Sequence, residues 1–166
     1  YDSGTANYDV HSENELNTGA VFMRNQILPN WHSTLQYARS EDKSGNFTNA
    51  TPSGASQIDT QQDEFSWQND IAIGRDTLQL LYTHRKEEVP SMRRSRITNS
   101  YAAAYSAKRG QHLIDVSARH DRSVYGSKNT GAAGYGYDFG NGLRATASVG
   151  TSFRAPTFNE LYFPGY

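Results

Sequence analysis

LRATASVGTSFRAPTFNELY, residues Leu143–Tyr162, is the stretch that decides the fold class. Its first part alternates, with Leu143, Ala145, Ala147 and Val149 on one side and Arg144, Thr146, Ser148 and Gly150 on the other. A period of two predicts a β-strand over Leu143–Gly150 with one apolar and one polar face. Pro156 and an aromatic cluster then end the alternation. A strand that carries an arginine on its polar side and runs into an aromatic loop is typical of the rim of a barrel with a wet interior.

Composition narrows the class of protein. The 166 residues suit one domain, and the hydrophobic share of 36% with a mean hydropathy of −0.78 is low for a compact soluble core. Aromatic residues still make up 12%, which favours β-structure with one polar side over disorder. A formal net charge of −1 argues against a nucleic-acid partner. The absence of cysteine excludes disulfides, thiol nucleophiles and thiolate metal sites.

Apolar residues do not form a run of about 18, so the sequence excludes a transmembrane helix. A membrane barrel stays open, because its strands carry the lipid-facing side chains at alternate positions. The sequence starts at Tyr1 without an initiator Met or a signal peptide and ends at Tyr166 just after a Pro-Gly pair. We therefore expect a segment of a longer protein.

Seven further strands are predicted upstream of Leu143. They are Asn17–Ile27, Trp31–Glu41, Thr60–Ile73, Thr77–Lys86, Ile97–Ala107, His112–Asp121 and Thr130–Phe139. Their connections alternate between short and long, and the long ones are Asp42–Asp59, Glu87–Ser95 and Arg122–Lys128, with a further loop at Tyr1–Glu15. That asymmetry is typical of bacterial outer-membrane barrels. We expect an all-β, antiparallel up-and-down meander of about eight strands, part of a transmembrane β-barrel, as an open arc or a small closed barrel.

The two sides of these strands differ in chemistry. The polar sides carry Arg85, Asp115, Arg119, Asp138 and Arg144, which we expect to line a lumen and to pair across neighbouring strands. The other sides carry aromatic residues that suit an interfacial girdle, namely Trp31, Tyr82, Tyr105, Phe139 and Phe153. A water-soluble β-sandwich or lipocalin-like barrel shows the same alternation. Such a fold would bury Trp67, Ile71, Leu80, Tyr135 and Val149 together in a dry interior.

The motif GTSFRAP resembles one found in the barrels of TonB-dependent outer-membrane receptors. There a strand ends with Gly-x-[Ser/Thr]-[Phe/Tyr]-[Arg/Lys]-Ala-Pro and enters an extracellular loop. The match covers Gly150, Ser152, Phe153, Arg154, Ala155 and Pro156. The run that follows, FNELYFPGY, is most similar to the vitamin B12 (cobalamin) transporters of that family, and siderophore receptors carry close variants.

The resemblance implies an outer-membrane location in a Gram-negative bacterium and a monomeric barrel of about twenty-two strands. It implies a plug domain preceded by a segment (the TonB box) that engages the TonB complex, neither of which is found in residues 1–166. The chain then corresponds to a partial barrel domain. Its implied partners are outer-membrane lipid, TonB through the plug, and cobalamin or a siderophore.

By the same resemblance, a set of rim residues is expected to bind the substrate: Phe153, Arg154, Phe158, Asn159 and Tyr162. Aromatic faces and a few polar groups suit a large ligand with an apolar ring and amide edges. Early extracellular loops of cobalamin receptors bind calcium, and the matching acids here are Asp9, Glu13, Glu15 and Asp59. Oxygen ligands converging from loops suit Ca²⁺. A solvated acidic loop is the alternative, and no other cofactor is implied.

Enzymatic signals are weak. His112 and His120 stand eight positions apart on one predicted strand, about 26 Å at 3.3 Å per residue, so they do not share a metal. No serine sits in a strained elbow near His120. We therefore expect no catalytic residue and no enzyme. A small outer-membrane barrel that acts as an anchor, an adhesin or a rim hydrolase is the alternative from another class.

Overall fold

The structure is a computed structural model that describes residues 10–48, 51–154 and 156. Within these residues the chain forms one antiparallel sheet whose eight strands lie in sequence order. The strands are β1 (Val10–Leu28), β2 (Trp31–Thr48), β3 (Thr51–Ile73), β4 (Asp76–Val89), β5 (Arg94–Arg109), β6 (His112–Ser123), β7 (Gly126–Gly140) and β8 (Leu143–Gly150). In the described part β1 and β8 do not pair, so the meander is open rather than a small closed barrel. This confirms the predicted fold class.

Strand pairing gives the sheet two chemically distinct faces. One register row runs from Leu35 through Trp67, Tyr82 and Tyr101 to His120. This side also carries Trp31, Leu80, Tyr135 and Val149, and we call it the apolar face. The opposite side, the polar face, carries the five predicted charged residues, Arg85, Asp115, Arg119, Asp138 and Arg144. The alternation therefore predicts the facing correctly.

Within the described residues no second layer packs against the apolar face. Trp67 is 45% exposed, Leu80 39%, Tyr135 48% and Val149 75%. Among the described residues Val89 is the only fully buried apolar side chain. A water-soluble sandwich of this size would bury these side chains, because apolar burial is its main source of stability. The soluble alternative is therefore contradicted.

One end of the sheet, which we call the turn end, carries two-residue connections at 29–30, 74–75, 110–111 and 141–142. At the last of them, Asn141 and Gly142 both have positive φ, 54° and 80°. A tight hairpin turn of this type needs left-handed backbone at both positions, which Asn and Gly adopt at the lowest cost. These connections agree with the predicted short turns.

The opposite end, which we call the far end, differs from the sequence prediction. Asp42–Asp59 is not a long loop, since β2 continues to Thr48, β3 begins at Thr51 and the two pair as far as Thr48 opposite Thr51. Likewise, β1 begins at Val10, inside the predicted Tyr1–Glu15 loop. The predicted loop Glu87–Ser95 is in fact a 3-10 turn at Pro90–Met92 followed by Arg93. The predicted loop Arg122–Lys128 is a connection of two residues, Val124 and Tyr125. Backbone pairing needs no apolar alternation, so the sequence pattern does not distinguish a strand that is polar on both faces from a loop.

The far end consequently extends well past the apolar region. β3 has 23 residues, whereas about 10 tilted residues suffice to cross a bilayer. No helix in the described ranges has the length and apolar character to span a membrane.

Two tryptophans of the apolar face cover polar neighbours. The Trp31 indole N–H donates to the Asn69 Oδ1 atom at 2.9 Å, and the Trp67 indole N–H donates to the Ser33 Oγ atom at 2.8 Å. Asn69 is only 6% exposed as a result. Both polar groups are hydrogen-bonded, as an apolar environment requires, and Asn69 is buried as well.

Candidate functional site

A cleft of about 340 Å³ lies on the polar face at the far end, lined by β4 to β7 and by the chain after β8. Its charged lining side chains are Arg85, Arg96, Arg119, Lys128, Arg154, Glu87 and Asp121. Tyr125 and Phe153 add aromatic faces. Five cationic groups against two anionic ones give the cleft a positive balance, which favours a ligand with an anionic group.

Register explains why these side chains converge. Thr83, Ser100, Asp121 and Lys128 form one row across β4 to β7, and Arg85, Thr98 and Ser123 form the next row toward the far end. Side chains of paired residues lie on the same side of a sheet about 5 Å apart. The polar face therefore brings charges from four strands to one surface.

Three of the cleft arginines are held by carboxylates. Arg85 pairs with Glu64 of β3 at 2.7 Å, and Arg119 pairs with Asp121 of its own strand at 2.9 Å. The predicted pairing across neighbouring strands is therefore confirmed for Arg85, whereas the Arg119 pair lies within one strand. At the turn end Arg144 pairs with Asp138 at 3.4 Å, while Asp115 accepts a hydrogen bond from Ser106 at 2.6 Å.

The third arginine, Arg96, is the most enclosed. Its Nε and Nη2 atoms donate to the two carboxylate oxygens of Glu87 at 2.8 and 2.7 Å. Its Nη1 atom donates to the backbone carbonyl of Pro156 at 2.7 Å. The Tyr125 ring lies 5.9 Å from the guanidinium carbon. The hydrogen-bonded Glu87 carboxylate raises the pKa of Arg96 above its ordinary value, so this group stays charged.

The chain after β8 is attached to β7 before it crosses the cleft. The Thr151 backbone N–H donates to the Gly131 carbonyl at 2.8 Å, and the Gly131 N–H donates to the Thr151 hydroxyl at 3.0 Å. Gly150 approaches so closely that a Cβ atom there would lie 3.0 Å from the Ala132 Cβ atom. The motif glycine is therefore explained by packing between β7 and β8.

The predicted substrate residues are only partly described. Phe153 and Arg154 line the cleft and are exposed, with the Lys128 Nζ atom 5.5 Å from the Phe153 ring centroid. Phe153 therefore belongs to the cleft and not to the aromatic girdle for which its position also suited it. Register places Trp31, Tyr82 and Tyr105 on the apolar face, as a girdle requires, and their position at a membrane interface stays a prediction. Phe158, Asn159 and Tyr162 lie outside the described residues.

The predicted calcium ligands lie on strands and not in loops. Glu13 and Glu15 belong to β1 and Asp59 to β3, while Asp9 lies outside the described residues. Lys43 of β2 pairs in register with both Glu15 and Asp59, so a cation stands between the two acids. In the ranges that the structure describes, no three acidic or histidine side chains form a group suited to a metal. Calcium binding that includes Asp9 therefore stays a prediction.

Sequence reasoning missed Glu87, Arg96, Tyr125 and Lys128. The sequence predicts a loop at Glu87, and Arg96 lies between that loop and the next predicted strand. A usable signal was present, because a hairpin that closes around Pro90–Met92 puts Glu87 directly opposite Arg96. Tyr125 and Lys128 likewise lie in a predicted loop, Arg122–Lys128.

Comparison with known proteins agrees with this geometry. The family model described as "TonB dependent receptor-like, beta-barrel" matches residues 1–166. The chain is 28% identical over 144 residues to the vitamin B12 transporter BtuB of Photobacterium profundum, covering 80% of this chain and 23% of that protein. It is 27% identical over 167 residues to the vitamin B12 transporter BtuB of Vibrio vulnificus, covering 92% of this chain and 27% of that protein.

The chain spans about a quarter of the length of these curated relatives. The family consists of receptors, not enzymes, and its barrels are outer-membrane proteins. An open eight-stranded meander with one apolar and one charged face is the local structure that such a barrel wall requires. On the fold, the two faces and the match over residues 1–166, this chain belongs to the TonB-dependent receptor-like β-barrel family.

Proposed function

We propose that this chain forms part of the barrel wall of an outer-membrane transporter that imports cobalamin with energy relayed by TonB. The observation that carries the substrate assignment is the similarity to two vitamin B12 transporters over 80% and 92% of the chain. The match of residues 1–166 to the receptor family supports the wider class. In the whole protein a plug domain would gate the lumen and engage the TonB complex.

The two faces and the two ends of the sheet give the orientation of the wall in the membrane. The apolar face meets outer-membrane lipid, since its large apolar side chains are exposed without a protein layer. The polar face meets the water-filled lumen. The turn end is periplasmic, because its two-residue connections follow directly on the apolar region, as the short periplasmic turns of such barrels do. The far end is extracellular, because there the strands continue well past the apolar region as long hairpins. The whole protein would be a monomeric barrel in the outer membrane of a Gram-negative bacterium.

The cleft at the far end supplies the first contacts for substrate. Phe153 and Tyr125 offer aromatic faces to an apolar ring, and Arg154 offers hydrogen-bond donors to amide oxygens or a phosphate. Phe158, Asn159 and Tyr162 extend this set in the sequence beyond the described residues. Cobalamin carries both amide edges and a phosphodiester, so it suits the positive balance of the lining.

A siderophore of similar size is the second candidate. The observation that favours it is the excess of cationic groups in the cleft, which also suits anionic ferric chelates. Both substrates carry anionic groups, so the charge of the cleft does not distinguish them. A competition experiment between the two substrates decides the assignment.

The test measures cobalamin binding to the complete receptor and cobalamin uptake by cells that depend on it. Arg154→Ala and Phe153→Ala should each weaken binding about tenfold, the loss of one charge-assisted or aromatic contact. Arg144→Ala, at the turn end, is the control and should leave affinity unchanged. Displacement of bound cobalamin by a ferric siderophore would favour the second candidate. No cobalamin binding at micromolar concentration would remove the cobalamin assignment.

Calcium binding near the far ends of β1 to β3 stays a prediction. It requires Asp9, Glu13, Glu15 and Asp59 to come together, whereas in the described residues β2 lies between Glu15 of β1 and Asp59 of β3. Measurement of cobalamin affinity with calcium and with a chelator tests it. Equal affinities in the parent receptor would contradict a calcium-ordered surface.

A further inference from the structure

From the contacts of one enclosed side chain we infer that Arg96 is a positioning residue, which clamps the chain after β8 and thereby holds Phe153 and Arg154 at the cleft. Arg96 shows 8% side-chain exposure, the lowest among the arginines that form ion pairs in the described residues. It is not itself among the residues proposed to contact substrate. Its role is exerted through the backbone of Pro156.

The clamp divides the donors of one guanidinium between two partners. Glu87 accepts from Nε and Nη2, which fixes the plane of the group through two parallel hydrogen bonds. Because the plane is fixed, Nη1 is aimed at the Pro156 carbonyl. A lysine at this position keeps the charge but lacks the rigid fork, so it cannot satisfy both partners in this geometry.

Two attachments bracket the residues that face the ligand. The first is the pair of hydrogen bonds between Thr151 and Gly131 on β7. The second is the bond from Arg96 on β5 to Pro156. Phe153 and Arg154 lie between them in the sequence, so the segment is fixed at both sides while their side chains stay exposed.

This arrangement has a direct consequence for affinity. Ordering a mobile segment on binding costs free energy, and a segment ordered in advance avoids that cost. Loss of the clamp should therefore weaken binding even though no ligand contact is removed. The effect on ligand rests on the proposed function, whereas the clamp itself does not.

The test uses the complete receptor with a spin label at Ser152→Cys, an exposed position between the two attachments. Any cysteines elsewhere in the receptor are replaced. Arg96→Lys should increase label mobility and increase the dissociation rate of bound cobalamin about tenfold. Arg144→Lys is the matched control, since it changes an arginine of the same face at the turn end. It should alter neither readout.

Several outcomes decide the inference. An unchanged label spectrum in Arg96→Lys would overturn the clamp, and a mobile label with unchanged cobalamin dissociation would overturn the positioning role. If the parent receptor binds no cobalamin, the proposed function fails while the label spectrum still decides the clamp. If Arg96→Lys does not fold, Glu87→Asp shortens the carboxylate that orients the guanidinium, and the same increase in mobility is expected.

Discussion

Two arginine–carboxylate pairs connect β4 with β5, one at each end of the sheet and on opposite faces. At the turn end, on the apolar face, Asp76 accepts from Arg109, with Nη2 and Oδ2 2.5 Å apart, and from the Tyr105 hydroxyl. At the far end, on the polar face, Glu87 accepts from Arg96. In the first pair the carboxylate is enclosed, at 4% exposure, and Arg109 is 60% exposed. In the second pair the arginine is the enclosed member.

The difference shows what each pair is able to do. A carboxylate only accepts hydrogen bonds, so an enclosed Asp76 gathers donors from β5 and fixes β4 against it. A guanidinium has five N–H donors, so an enclosed Arg96 keeps one for a third segment of chain. The turn-end pair therefore joins two strands, whereas the far-end pair also attaches the chain after β8.

The largest effect is expected from a test of the two faces at two neighbouring leucines of β4. Leu80 lies on the apolar face and Leu81 on the polar face. Leu80→Arg should cost about 2–4 kcal/mol of folding free energy, because it puts a charge in hydrocarbon, and Leu81→Arg should cost much less. Urea unfolding of the complete receptor in lipid vesicles measures both. Equal losses would contradict the assignment of lipid and lumen to the two faces.

The next largest effect is expected at the far-end pair. Glu87→Gln removes the charged acceptor from enclosed Arg96 and should lower the free energy of unfolding by about 2 kcal/mol, the usual range for a hydrogen bond to a charged group. Arg96→Met with Glu87→Met removes both charges and is the matched double variant. It should recover part of the loss, since no unpaired charge remains. If Glu87→Gln left the free energy of unfolding unchanged, Arg96 would not be enclosed in the receptor.

A backbone contact sharpens the same comparison from the β8 side. Gly150→Ala puts a Cβ atom 3.0 Å from the Ala132 Cβ atom, so β8 must shift from β7. The expected cost is about 1–2 kcal/mol, as for other overpacked sites. Gly19→Ala is the control, because a Cβ atom at Gly19 meets nothing within 4 Å. Equal unfolding midpoints for the two variants would contradict this packing.

The smallest effect is expected at the turn end. Asp76→Asn keeps an oxygen that accepts from Tyr105, and Arg109 is already exposed enough to be solvated. The shift of the urea midpoint should therefore be smaller than that of Glu87→Gln. The reverse order would mean that the turn-end pair is the main stabilising contact of the hairpin.

The sequence predicts the sheet well wherever one face is apolar. Leu143–Gly150 is predicted to the residue, and the facing of Leu80 and Tyr101 is correct. The prediction fails past the apolar region, as at Asp42–Asp59, because the period of two reports a difference between the environments of two faces. When both faces meet water, that difference vanishes while the backbone ladder continues.

The candidate site is predicted less completely. Phe153 and Arg154 follow from a motif, whereas Glu87 and Arg96 meet only through a register that the loop assignment hid. The Arg96 bond to Pro156 joins positions sixty residues apart. No local pattern of residues encodes such a contact, because it depends on the register of the four strands β5 to β8.

Trp31 and Trp67 have a consequence for substitutions on the apolar face. A hydropathy scale rates tryptophan and phenylalanine as near equivalents, yet only the indole has an N–H to give to Asn69 or Ser33. Exchange of either tryptophan for phenylalanine would leave an amide or a hydroxyl bare among acyl chains. At these two positions a substitution that hydropathy rates as conservative would therefore leave a polar group without its hydrogen bond on the apolar face.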